Sequence, residues 1–159
     1  MTATRWLSPT EERAWRGYRR MRTLLDLRLA RDLAQDSGLS EPDYDVLSTL
    51  TEAAGSSWRA NELAARLLWS SSRLAHHVGR MERRGLVTRR SSDDDGRGAV
   101  IAISDQGMEI LRRAAPGHLD SVRRHLVDLL TPAEIETLAA ISGKVIRHFA
   151  EETRPGAPV

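Results

Sequence analysis

The sequence predicts a mainly helical fold with one small β-hairpin. Three observations carry that expectation. Apolar residues recur at helical spacing in six stretches, most of them opened by a Ser or Thr capping signal. Two short β-branched runs flank a Gly-containing acidic loop. Aromatics make up only 4% of the 159 residues, so the apolar mass is Leu, Ala, Val and Ile. An apolar share of 40% is enough for a core, and a charged share of 29% sits near the globular average, which excludes wholesale disorder.

The first helix opens at Ser8-Pro9-Thr10-Glu11, an N-cap serine with proline at the first helical position and a glutamate three residues on. Trp15, Tyr18, Met21, Leu25 and Leu29 form its stripe, Leu24 and Leu33 widen it, and Ser37-Gly38 stops it. Ser40-Glu41-Pro42-Asp43 starts a second helix bearing Val46, Leu47 and Leu50, and Gly55 ends that region. A short third helix is expected over about Ala60–Leu68. Ser70-Ser71-Ser72 opens a fourth, with Leu74, Val78 and Met81 inward and Gly85 at its end. Leu86–Arg90 and Ala99–Ile103 read as the hairpin strands. Ser104-Asp105 caps a fifth helix, in which Pro116-Gly117 predicts a kink. Thr131-Pro132-Ala133-Glu134 repeats the first capping signal and starts the sixth, and a Pro/Gly-rich tail over 153–159 should fray.

The charge is not spread evenly. The net value is +2, yet residues 58–91 hold eight Arg against two acids. A basic block of that kind is the electrostatic footprint of a polyanion binder. Zero cysteines exclude disulfides and thiolate metal sites, and the five histidines lack His-x-x-x-His spacing, so neither a metal nor another cofactor is expected. No phosphate-binding glycine loop or nucleophile elbow occurs, so an enzyme is not expected. The apolar runs are too short for a membrane span or a secretory leader, which gives a cytoplasmic expectation.

Two helices joined by a short turn, the second serine-capped and rich in Arg, have the helix-turn-helix layout. With Leu74, Val78 and Met81 inward, the outward set is Ser71, Ser72, Arg73, His76 and Arg80, with His77 at the boundary. Ser70, Ser71 and Ser72 at a helix start suit phosphate oxygens, while Arg and His donate to guanine acceptors in a major groove. Arg59, Arg84, Arg89 and Arg90 are the candidate backbone contacts. The hairpin reads as a wing with Arg97 near its tip, suited to a minor groove.

The run Asn61-Glu62-Leu63-Ala64, Ser72-Arg73-Leu74, Arg80-Met81-Glu82-Arg83-Arg84-Gly85-Leu86-Val87, Asp95-Gly96-Arg97 and Ile103-Ser104-Asp105-Gln106-Gly107 resembles the MarR family of bacterial transcription regulators. The resemblance covers the helix order throughout and is densest over residues 60–107. It implies a homodimer with two winged helix-turn-helix lobes on a palindromic double-stranded DNA operator. It also implies that Asp95 holds Arg97 for DNA contact. Trp69, the His76-His77 pair and the three aspartates of the wing tip depart from the family pattern.

The expected organisation is a helical dimerisation region over 1–38 and 105–152 around a DNA-binding lobe over 42–104. The end helices are Leu-rich on more than one side, which calls for a partner chain. A repressor released by a small aromatic molecule is the expected function; an architectural or partner-binding winged-helix protein without an effector is the alternative. If the family arrangement holds, Trp15, Tyr18 and Arg22 of the first helix face Asp45 and His118, a set suited to an aromatic acid.

Overall fold

In the computed structural model, residues 4–91 and 98–152 are described. The elements are α1 (Pro9–Ser37), α2 (Glu41–Thr51), β1 (Ser57–Arg59), α3 (Ala60–Arg66), α4 (Ser71–Arg83), β2 (Val87–Ser91), β3 (Ala99–Ile103), α5 (Asp105–His125), a 3-10 turn (Val127–Leu129) and α6 (Pro132–Glu152). The mainly helical class is as the sequence predicts. The expected wing-tip residues Asp95 and Arg97 lie outside the described residues.

The helix boundaries follow capping chemistry. Ser8 accepts from the Glu11 amide while the Glu11 carboxylate accepts from the Ser8 amide, and Ser40 with Asp43 repeats the exchange. Thr131 and Glu134 do the same ahead of α6. Gly38, with φ of 70°, ends α1 in the left-handed conformation that glycine adopts without strain.

Two points differ from the expectation. The sheet has three antiparallel strands in the order β1-β3-β2, because Ser57–Arg59 pairs with Ala102–Val100. Three residues are too few to show a period of two, so β1 left no sequence signal. The third helix ends at Arg66, since Leu68 turns left-handed (φ 55°) and the Trp69 amide returns to the Ala64 carbonyl at 2.9 Å. The α5 helix is continuous across Pro116, where the sequence predicts a kink.

The chain divides into two compact units, Met1–Ser121 and Val122–Val159. The first unit holds the core. Val46, Leu47 and Leu50 of α2, Leu63 of α3, and Leu74, Val78 and Met81 of α4 are essentially inaccessible. Leu86, Val87, Ile101, Leu111 and Ala114 close the cluster from the sheet and α5. Each fully buried Leu contributes roughly 1.5–3 kcal/mol by removal from water. The start of α5 is fixed by Gly107, where a Cβ would sit 2.0 Å from the Leu86 carbonyl oxygen. Only a glycine permits that approach of α5 to the strand backbone.

Candidate nucleic-acid interface

The hydrophobic spacing of α4 decides which side chains face outward. Leu74, His77, Val78 and Met81 are buried, while Ser71, Ser72, Arg73, His76, Arg80 and Arg83 are exposed. Ser70 is the N-cap, and its hydroxyl accepts from the Arg73 amide at 3.2 Å. That hydroxyl is therefore engaged in starting the helix, and Ser71 and Ser72 supply the open hydroxyls of the first turn. On β2, Arg89 and Arg90 are exposed beside α4, whereas Arg59 is half-buried at the end of β1. A hollow of about 350 Å³ lies between the first turns of α3 and α4 and the wing, lined by Asn61, Ser71, Ala75, Arg89 and Gly98 among others.

Two expected contact residues are placed otherwise. His77 turns into the lobe, 7% exposed, with Nε2 3.0 Å from Asp43 Oδ1. It has no free edge for a base, because the inward stripe of α4 is one position wider than the apolar residues alone indicated. Arg84 donates to Asp43 Oδ2 at 2.7 Å and to the Gly38 carbonyl at 3.3 Å, so its guanidinium braces α4 against the start of α2.

The carboxylate that holds both is Asp43, 2% exposed and absent from the sequence reading of the site. Burial alone would raise its pKa. Hydrogen bonds from Arg84 and from the Ser40 backbone amide outweigh that and hold it below the usual range. Burial pulls the His77 imidazole below its ordinary value; Asp43 opposes the shift and Arg80 adds to it. His77 is therefore neutral at pH 7. Nothing local announced this cluster, since Asp43 and Arg84 are 41 residues apart.

The five residues expected around an effector do not come together within one chain. Asp45 and His118 do approach: burial raises the Asp45 carboxyl, with His118 and Arg73 acting against it. The His118 ring tilts against Tyr44 with centroids 4.4 Å apart, and its Nδ1 is buried without a hydrogen-bond partner among the described residues. Trp15 and Tyr18 stack on each other at 6.0 Å, and Arg22 lies over the Tyr18 ring at 5.9 Å, all on the open part of α1. The flank of His118 on α5 meets α1 at Asp32, which accepts from the Ser121 hydroxyl at 2.7 Å, and at Asp36 beside Gly117. Trp15 is 17 residues before Asp32, about 25 Å along the helix. The seven-residue spacing gave the face of α1 correctly but carried no information on which level of the helix α5 reaches.

Among the described residues no group of three or more acidic or histidine side chains gathers to hold a metal, and no helix is long and apolar enough to cross a membrane.

With the lobe and its exposed basic helix in place, comparison with known proteins decides the family. The sequence profile of the MarR family matches residues 37–98. AbsC, a MarR-family transcriptional regulator from Streptomyces coelicolor, is 38% identical over 92% of this chain and 99% of its own, with a TM-score of 0.88. The chain belongs to the MarR family. Sco3205 of the same organism, a MarR-family regulator whose crystal structure is in complex with DNA, is 38% identical over 97% of this chain and 94% of its own, with a TM-score of 0.87. The transcriptional repressor MprA of Escherichia coli is 26% identical over 75% of this chain and 67% of its own. MarR-family proteins are DNA-binding transcription regulators and not enzymes.

Proposed function

We propose that this MarR-family regulator is a homodimeric repressor that binds a palindromic operator, with α4 of each protomer in a major groove. The observation that carries the reading is a contrast of surfaces. The α4 helix turns Arg73, His76 and Arg80 outward from a closed core, while Trp15, Tyr18, Met21, Leu24 and Leu27 of α1 stand 44–64% exposed. An open apolar face of that size calls for a second copy. Two copies related by a two-fold axis then offer two recognition helices to two half-sites.

In this reading Arg73 reads a base, and Arg80, Arg89 and Arg90 contact phosphates together with Ser71 and Ser72. His76 is a second base contact. Arg59 and the wing pair Asp95 and Arg97 extend the contact to the flanks of the site. A dimer seated on an operator blocks access to the promoter, which gives repression. Release by a small aromatic acid belongs to the same reading. Tyr44, Asp45 and His118 form its chain-internal part, where a carboxylate would satisfy the unpartnered His118 nitrogen. Trp15, Tyr18 and Arg22 would join from the partner protomer. Sedimentation of the protein with and without a selected duplex tests the stoichiometry: two chains per duplex support the reading, and one chain per duplex refutes it. Titrating aromatic acids into that complex tests the effector. Release that His118→Ala abolishes supports the pocket, and release unchanged in His118→Ala and Trp15→Ala places it elsewhere.

A further inference from the structure

The structure gives Trp69 a task. Its ring lies under the Arg73 guanidinium at 4.1 Å and meets the His77 ring edge-on, with centroids 5.4 Å apart and planes at 85°. One turn further on, Arg80 Nη2 stands 2.8 Å from His77 Nδ1. A guanidinium only donates, so Nδ1 accepts and the imidazole proton sits on Nε2, which lies 3.0 Å from Asp43 Oδ1 without an aligned hydrogen bond. The two exposed arginines thus rest on one aromatic pair, half-buried Trp69 and buried His77, the latter set against Asp43 of α2.

We propose that Trp69 and His77 are positioning residues for DNA readout, Trp69 holding Arg73 and His77 holding Arg80 in place before DNA arrives. The inference rests on the reading of α4 as the recognition helix. Neither contact consumes the arginine. Stacking engages the face of the Arg73 plane and leaves its N–H edge open. Arg80 has five N–H donors, of which His77 takes one. A side chain fixed in advance loses less freedom on binding, which is how preorganisation raises affinity.

A protonation dependence follows. The groups facing His77 are Asp43 from α2 and Arg73 and Arg80 from α4, with Arg84 on the far oxygen of Asp43. A second proton goes to Nδ1, turning an acceptor into a donor that confronts a guanidinium. Arg80 must then let go.

The test uses full-length protein, a duplex enriched from a random library and a scrambled duplex. Each positioning variant should copy the signature of the arginine it holds. Trp69→Leu should relax base preference at the position that Arg73→Ala relaxes, by roughly tenfold. His77→Phe keeps a ring against Trp69 but removes the acceptor, so it should weaken both duplexes alike and flatten the salt slope as Arg80→Ala does. The doubles Trp69→Leu/Arg73→Ala and His77→Phe/Arg80→Ala should be no weaker than the arginine singles. His77→Asn keeps an acceptor and cannot titrate, so whatever its affinity at neutral pH it should lose the parent's further weakening in acid. If His77→Phe fails to fold, that pH comparison still decides for His77, and Trp69→Phe, with a smaller ring, should give an intermediate relaxation. Additive doubles, or an acid profile identical in His77→Asn and the parent, would overturn the inference. Unchanged base preference in Arg73→Ala would instead overturn the recognition-helix reading, and the double variants would still score the coupling.

Discussion

The winged lobe and the end helices use similar apolar residues to opposite effect. In the lobe, Val46, Leu47, Leu50, Leu63, Leu74, Val78 and Met81 are essentially sealed from water. In α1 only Leu33 is buried, and no described residue of α6 is, although Ile141, Val145, Ile146 and Phe149 lie along it. Amphipathic helices gain most of their stability from packing an apolar face, so exposed faces of this kind indicate where a folded unit is still unfinished. The lobe completes its own core within one chain. In the proposed dimer a second copy would complete the end helices.

The largest effect should come from attacking the open side. Removing residues 1–35 takes away most of α1, and we expect aggregation or lost folding; a well-behaved monomer in sedimentation would contradict that. On the closed side, Asp43→Ala strips the shared partner of Arg84 and His77. The expected loss is about 3 kcal/mol, at the low end for a broken buried pair, because half-exposed Arg84 can turn to water. Denaturant unfolding reads that value, and a loss under half of it would mean that the cluster does not brace α4. Gly107→Ala should cost about 1–3 kcal/mol, since the Leu86 carbonyl must shift to admit a methyl group.

The next effect should leave the fold intact and touch only DNA binding. Arg73→Ala should cost ~1–3 kcal/mol on an enriched duplex and relax one base position per half-site. Equal losses on enriched and scrambled duplexes would make Arg73 a phosphate contact. The smallest effect is the acid dependence of stability. The His77 pKa lies below its ordinary 6.5 in the folded chain, so the unfolded chain binds more protons on acidification. Stability contributed by neutral His77 is therefore whole above pH 6.5 and declines as pH falls toward the folded value. A parallel loss through Asp43 begins only below its ordinary 3.8. A His77→Asn variant whose melting temperature falls as steeply as the parent's between neutral and mildly acidic pH would remove His77 from this account.

What the sequence disclosed divides along a physical line. Features set by neighbours in the chain were legible: the serine and threonine caps at Ser8, Ser40, Ser70, Ser104 and Thr131, the stop at Gly38, the inward stripe of α4 and the two wing strands. Features set by distant partners were not. β1 exists because β3 offers it an edge, and three residues cannot advertise that. The spacing of α4 put His77 at the boundary and Arg84 among the backbone contacts, but gave no sign that Asp43 lies against both. Trp69 stood out as unusual, but its value lies in the Arg73 plane above it. The effector set illustrates the same boundary: the spacing of Trp15, Tyr18 and Arg22 fixed a face of α1, and only the structure showed that α5 reaches that helix much nearer its other end.

The central claim is that two closed lobes, joined through open end helices, read two half-sites of one operator. Selection of bound sequences from random duplexes by the intact protein tests it most directly. The account predicts enrichment of a two-fold symmetric motif with half-sites about 10 bp apart, centre to centre. Enrichment of a single asymmetric half-site, or of no motif above a salt-sensitive background, would contradict it.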